Sequence, residues 1–294
     1  MRPNTPSATA RMVARGVVYI ATDPLWRHLV PPEMATLTRT LLAVCSPTER
    51  RWLAMQGRPV VRGLIAFTEQ LTVPGILCHY VLRKLYLDAA TEKALQDGFR
   101  QVVILGAGLD TLALRLHQTY PDVSFIEVDH PATQQCKRAI IPADQPNLHL
   151  IAADLGHANL SAVLSNCSAF NFGDDTLFLA EGLLMYLSPW QVRTLLSNVR
   201  DAVLPSARCR LGFTYVEPYL DGHPDFTYAT RALRLWLQWR GEPFRWGIYR
   251  DQLPSLLARH GFTLRATATP EELREPYQSP PHVNGDSICL ADRN

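Results

Sequence analysis

The chain predicts an α/β fold, a parallel sheet covered by helices on both faces. Short, nearly continuous apolar runs alternate with segments of helical spacing, the first run ends in a glycine turn that opens a helix, and successive runs end in acids. The length suits one large domain, or one domain with a cap. A chain of 294 residues, 47% of them apolar, buries roughly three quarters of its unfolded surface without help from metals or disulfides.

Residues 1 to about 96 read as a helical lead-in. MATLTRTLLAV, VVRGLIAFTEQL and ILCHYVLRKLYLDAATEKALQ repeat apolar residues every three or four positions, and Pro31-Pro32, Pro47, Pro59 and Pro74 break them. The period changes after Gly98. QVVILGAG (101–108) is a strand ended by glycines, and LDTLALRLHQ resumes helical spacing. The alternation continues with VSFIEVD then PATQQCKRAI, NLHLIAAD then ANLSAVLSN, DTLFLAEG then SPWQVRTLLSNVRDAV, and ARCRLGFTYVE. Beyond Glu217 a segment rich in Pro, Gly and His precedes a helix in FTYATRALRLWLQWR, which reads as a cap over about 218–249. DQLPSLLARHGFTLRATAT then gives helix, glycine stop and strand, and DSICLADR a last strand. The division expected is a lead-in or lid over 1–96 and a ligand-binding domain over 97–294.

Composition excludes several classes of function. The 29 basic and 27 acidic residues give a formal charge of +2, too little to draw the chain to nucleic acid or anionic lipid. The basic side is 26 Arg and three Lys (Lys84, Lys93, Lys137), a skew attributable to genomic base composition. Six scattered cysteines form neither a CxxC pair nor a Cys/His cluster, so no metal site is expected and the thiols read as reduced. With no signal-like or 18-residue apolar run, the expected setting is the cytoplasm, with no membrane partner.

The chemistry concentrates at the strand ends. Gly106-Ala107-Gly108 lets the backbone turn tightly and brings a ligand to a helix N-terminus; the third glycine of GxGxxG is absent, since position 111 is Thr. Asp110 is placed either to cap that helix or to contact a ligand. Asp129, about 20 residues past the glycines, stands where an acid accepts the hydroxyls of an adenosine ribose, and Asp154, ending the third strand, could accept an adenine amino group. Glu181 lies in an apolar run and needs a cationic or hydrogen-bonding partner. A nicotinamide dehydrogenase would share these features, and a Tyr80-x-x-x-Lys84 pair exists, but it precedes the first strand.

HYVLRKLYLD (79–88), VVILGAGLDTLALRL (102–116), FIEVDHPATQQCKR (125–138), IAADL (151–155) and AEGLLMYLSPWQVRTLL (180–196) together resemble the leucine carboxyl methyltransferase-like family of class I S-adenosylmethionine methyltransferases, in its bacterial O-methyltransferase branch. The resemblance implies a Rossmann-like, mostly parallel seven-stranded sheet and S-adenosyl-L-methionine as cofactor. It puts Gly106 against the methionine part, with Ala107, Gly108 and Asp110 in the same turn, Asp129 on the ribose, Asp154 and Leu155 on the adenine, and Glu181 by the amino-acid moiety. Arg83 matches an arginine that reaches the cofactor carboxylate and the substrate, Tyr186 a substrate-side tyrosine, and Arg11 a basic residue near the family's amino terminus. Leu112 departs from the arginine that bacterial members often carry.

The activity so implied is O-methylation of a small molecule. A carboxylate acceptor is already ionised at neutral pH and needs only Arg or Tyr donors, whereas a phenol would benefit from a base such as His223 or His79. A non-catalytic adenosine-cofactor binder is the alternative of another class. Ten aromatics over 213–249 (Phe213, Tyr215, Tyr219, Phe226, Tyr228, Trp236, Trp239, Phe244, Trp246, Tyr249) suggest an acceptor with ring or apolar surface, or else simply pack the cap on the sheet.

Overall fold

The computed structural model describes residues 7–142, 145–219, 222–226, 229–277 and 282–294. Five helices come first: α1 (Ala8–Ala21), α2 (Pro32–Cys45), α3 (Pro47–Met55), α4 (Pro59–Thr72) and α5 (Ile76–Gln96). Proline opens α2, α3 and α4, where a missing N–H costs nothing, and the Ser46 hydroxyl caps α3 through the Glu49 N–H.

The alternating region follows as β1 (Gln101–Leu105), α6 (Leu112–Leu116), β2 (Ser124–Asp129), α7 (Pro131–Arg138), β3 (Leu148–Ala152), α8 (Leu160–Ser165), β4 (Thr176–Ala180), α9 (Pro189–Asp201) and β5 (Cys209–Tyr215). A two-residue ladder, β6 (Glu217–Pro218) with β7 (Pro224–Asp225), leads to α10 (Arg231–Arg240). Then come α11 (Leu253–Arg259), β8 (Phe262–Ala268), α12 (Pro270–Arg274) and β9 (Ser287–Arg293). The main sheet runs β3-β2-β1-β4-β5-β9-β8. Its first five strands are parallel, and β9 is antiparallel to both β5 and β8. This is the mostly parallel seven-stranded, Rossmann-like sheet that the sequence predicts.

Alternate residues of each strand feed two cores, as the period-2 pleat requires. Val103, Leu105, Ile126, Val128, Phe178 and Ala180 face α8, α9 and α11, while Val102, Ile104, Phe125, Leu177 and Leu179 face α5, α6 and α12. Val17 and Ile20 of α1 join the second core. Alpha-10 packs through Leu233 and Leu237 on Ile76 and Tyr80 of α5 and on Phe226.

Two local expectations change. The helix expected over 109–118 is the five-residue α6, because residues 106–110 are spent on the turn, with the Asp110 N–H donating to the Ala107 carbonyl. The aromatic set of 213–249 is split. Phe213 and Tyr215 lie in the central strand β5 and Trp246 in the core beneath it, while Trp236 packs the cap and Trp239 is exposed. Tyr228 lies outside the described residues. Among the described residues no single helix is long and apolar enough to cross a membrane, and all six cysteines are free thiols.

Candidate cofactor and acceptor site

Strand order reverses between β1 and β4, since the chain runs from β1 outward through β2 and β3 and returns on the other side through β4 and β5. Ligands of open α/β sheets bind in the crevice at such a switch point. A cavity of about 490 Å³ occupies it. Arg83, Gly106, Ala107, Gly108, Asp110, Asp129, Asp154, Leu155, Glu181 and Tyr186, the cofactor and substrate residues expected from the sequence, all line this cavity, whereas Arg11 does not. Arg11 instead sits 3.8 Å from the Glu49 carboxylate, between α1 and α3.

At one end of the cavity the glycine turn and two acids form a cradle. Gly106 has φ +68°, and a Cβ there would stand 3.0 Å from Leu183 Cδ1, so backbone conformation and space both call for glycine. The Asp129 carboxylate accepts the N–H of Gly108 at 2.6 Å and of His130 at 2.6 Å. A carboxylate offers about four lone-pair sites, so two stay unused on a residue that lines the cavity. Asp154 is at the exposed rim, where it accepts from the Gly156 N–H (3.0 Å) and meets His157 Nδ1 at 2.9 Å. Gln191 fixes that loop by donating to the Gly156 carbonyl at 2.6 Å.

Charged side chains dominate the middle of the cavity. Asp110 does not cap α6, whose cap residue is Thr111; its carboxylate accepts from Lys84 Nζ at 2.7 Å. The same ammonium donates to both Glu181 oxygens, at 3.2 and 3.1 Å. Glu181 also accepts from Arg83 Nε at 2.9 Å, and Arg83 Nη1 donates to both oxygens of Asp286, at 2.6 and 2.8 Å. His79 Nε2 meets Asp286 at 2.7 Å. The Asp286 side chain also hydrogen-bonds the Thr214 hydroxyl, and that hydroxyl receives the Gly182 N–H at 2.8 Å.

The protonation states follow from this geometry. Burial pulls the pKa of Lys84 down, but the carboxylates of Asp110 and Glu181 more than offset it and the net shift is upward. Burial likewise opposes ionisation of Asp110 and Asp286, yet Lys84 and Arg83 respectively hold both well below the usual carboxylate range. Burial lowers the pKa of His79 despite Asp286, so its imidazole is neutral and donates through Nε2. Lys84 and Asp286 escape a reading of the sequence. Lys84 has one signal, the scarcity of lysine, since two of the chain's three lysines are buried on acids, the other being Lys137 on Glu127 at 2.6 Å; Asp286 has none.

The other end of the cavity is apolar. Met12, Val13, Met185, Phe226, Leu233, Leu237 and Phe244 line it, with Arg245 beside them. The Tyr186 ring meets that of Phe244 at 5.4 Å, its hydroxyl bonds the Thr9 side chain, and burial raises its pKa well above the usual phenol range. Glu242 gathers the start of α1. It accepts the N–H groups of Ala8 (3.1 Å) and Thr9 (3.0 Å) and the hydroxyls of Ser7 (3.3 Å) and Thr9 (2.5 Å). Of the two histidines weighed as bases, neither His79 nor His223 lines the cavity; His130 and His157 do, at the Asp154 end. Among the described residues no group of His, Cys, Asp and Glu could hold a metal ion.

A switch-point crevice with a glycine turn, an acid at the end of the second strand and a buried charge network is the arrangement of a nucleoside-cofactor-binding α/β protein. More narrowly, the chain belongs to the leucine carboxyl methyltransferase family, whose model matches residues 7–200. A relative from Mycobacteroides abscessus is 30% identical over 211 residues, and one from a Parafrankia species 31% identical over 138. Both bear the name "putative S-adenosyl-L-methionine-dependent methyltransferase". Those alignments cover 67% and 45% of this chain, which spans 65% and 43% of the relatives' own lengths. A crystal structure from Thermobifida fusca, described as a putative methyltransferase, shares the fold at a TM-score of 0.60 and 17% identity, over 97% of this chain and 95% of that one.

Proposed function

We propose that the protein is an S-adenosyl-L-methionine-dependent O-methyltransferase that esterifies a carboxylate on a small, apolar-bodied molecule. The observation that carries this reading is the convergence of Gly106–Gly108, Asp129, Asp154 and Glu181 on one switch-point cavity with an apolar far end. The residues fit such a cofactor. Asp129 keeps two lone-pair sites for a ribose diol, Leu155 and Asp154 flank the rim where an adenine would lie, and the acids outnumber the cations beside the glycine turn.

The bound cofactor supplies an electrophilic methyl on a sulfonium; the protein's part is to position, orient and exclude water. Arg83 and Glu181 orient the amino-acid end, and the one Nη2 N–H of Arg83 left over, with the Tyr186 hydroxyl once it turns from Thr9, orients the acceptor carboxylate. No base is required for an ionised carboxylate, which agrees with a cavity whose lining histidines, among the described residues, are His130 and His157 at the Asp154 end. The start of α1, held by Glu242, acts as a lid, and 218–249 as the acceptor cap. No nucleic-acid partner is proposed, and the reduced thiols suit the cytoplasm.

The test is a methyl-transfer assay over a panel of aromatic and aliphatic acids and phenols, with the product exposed to mild base. A base-labile methyl ester is the expected product, and a stable aryl methyl ether would reassign the acceptor to phenols. Calorimetry that detects NADH binding and none of S-adenosylhomocysteine would overturn the methyltransferase reading, and cofactor binding without turnover on any acceptor would point to a binding protein.

A further inference from the structure

Two consecutive residues of α5 place their cations on opposite sides of Glu181. Lys84 reaches forward to Asp110 in the turn after β1, Arg83 reaches back to Asp286 just before β9, and Glu181, past the end of β4, lies between them. The result is an alternating row, Asp110–Lys84–Glu181–Arg83–Asp286, across the mouth of the switch point. Lys84 and Arg83 are almost fully buried, and the side chains of Glu181 and Asp110 are 11% exposed. The row holds three carboxylates and two cations, one net negative charge, with His79 neutral at its end. The neighbouring pairs add nothing to the row, since Glu127 is matched by Lys137 and Asp88 by Arg115; Asp129, held by backbone N–H groups at the far side of the glycine turn, is an acid outside the row that the variants below leave unchanged.

We propose that Lys84 is a positioning residue that joins the two acids across the crevice and sets the row at a single negative charge, so that the site prefers a cationic cofactor to its neutral thioether product. The inference rests on the methyltransferase reading above. S-adenosylmethionine carries a sulfonium that S-adenosylhomocysteine lacks, so a fixed negative charge beside the amino-acid end favours the first and leaves the second indifferent. Lysine serves here because a compact ammonium can donate to three carboxylate oxygens at once, a geometry the planar guanidinium does not reproduce.

The test is the ratio of two dissociation constants, that of S-adenosylhomocysteine over that of sinefungin, which bears an amine in place of the methylsulfonium. A ratio cancels any uniform loss of affinity. Measured by calorimetry at low salt, Glu181→Gln and Asp110→Asn, which bring the row to neutrality, lower the ratio about tenfold, and Lys84→Gln, which makes the row doubly negative, raises it by a similar factor. Lys84→Arg keeps the charge but not the three-way contact, so it weakens both ligands and leaves the ratio unchanged. Ratios within twofold of wild type in both neutralising variants, or a shift of the same sign in Lys84→Gln and Glu181→Gln, would overturn the proposal. Should Lys84→Gln not fold, the two isosteric neutralisations decide it. A wild-type protein that binds neither ligand instead overturns the reading on which the proposal rests.

Discussion

Asp286→Ala probes how tightly the charge row is held. Asp286 is fully buried and receives Arg83 Nη1 on both oxygens, His79 Nε2 and the Thr214 hydroxyl. Truncation leaves the Arg83 guanidinium, 4% exposed, with Glu181 as its one carboxylate in contact, and Glu181 is already shared with Lys84. Breaking a buried pair from one side costs about 3–5 kcal/mol, because the remaining charge is stranded, whereas removing both partners costs far less. At a few degrees per kcal/mol in a chain of this size, the melting temperature falls by about 10 °C. Urea unfolding followed by tryptophan fluorescence measures the loss. The comparison is the double variant Arg83→Met/Asp286→Leu, whose cost is expected to be clearly smaller than that of Asp286→Ala alone. A single-variant loss below about 1 kcal/mol would mean that water reaches the row, and a double variant as costly as the sum of its parts would mean that the pair is not coupled.

The same site gives the protein an acid-side weakness. Burial holds the folded pKa of His79 below its ordinary 6.5, so the unfolded chain takes up a proton that the folded chain refuses; this stability is whole above about pH 6.5 and declines as pH falls. Asp286, its folded pKa depressed, adds a contribution that is present above about pH 4 and is lost below it. Stability against urea is therefore expected to drop from pH 7 to 5, and the slope to shrink in His79→Gln; an unchanged slope would refute the assignment. Glu242→Ala removes the acceptor that gathers the first N–H groups of α1, at a cost of about 1 kcal/mol to that end of the helix. Amide exchange at Ala8 and Thr9 should quicken and the acceptor KM rise with little change in kcat, and protected amides with normal kinetics would show that this end of α1 is not part of the lid.

Periodicity made the sheet legible because buried parallel strands are apolar on both faces, and Val102 to Leu105 or Leu177 to Ala180 can be nothing else once glycine or acid ends the run. The acids at those ends were legible for the same reason, being polar residues set immediately after apolar ones. The partners of Glu181 were not. An acid in an apolar run announces that a partner exists and says nothing of where, and the answer came partly from Lys84 on a helix before the first strand and partly, through Arg83, from Asp286, 203 residues beyond that arginine. Aromatic clustering misled in part, because 213–249 combines strand β5 with the cap. Phe213 and Trp246 report the core, and Phe226 and Phe244 report the cavity.

The position of Asp286 explains why the antiparallel end of the sheet matters to a site built at β1 and β4. Strand β9 pairs with β5 on one side and β8 on the other, which brings the segment before it back over α5. There the Asn284 side chain donates to the Pro74 carbonyl at 2.7 Å, and the His79 ring lies against Gly285 so closely that a Cβ would stand 2.1 Å from it. The last strand therefore clamps the start of α5, and α5 carries the two cations that face the cofactor crevice. A chain that lost β9 would keep its glycine turn and ribose acid, yet Arg83 would be left without the carboxylate that both of its Nη1 contacts need. The row would then hold two carboxylates and two cations, its net negative charge would vanish, and with it the row's part in the preference for a cationic ligand.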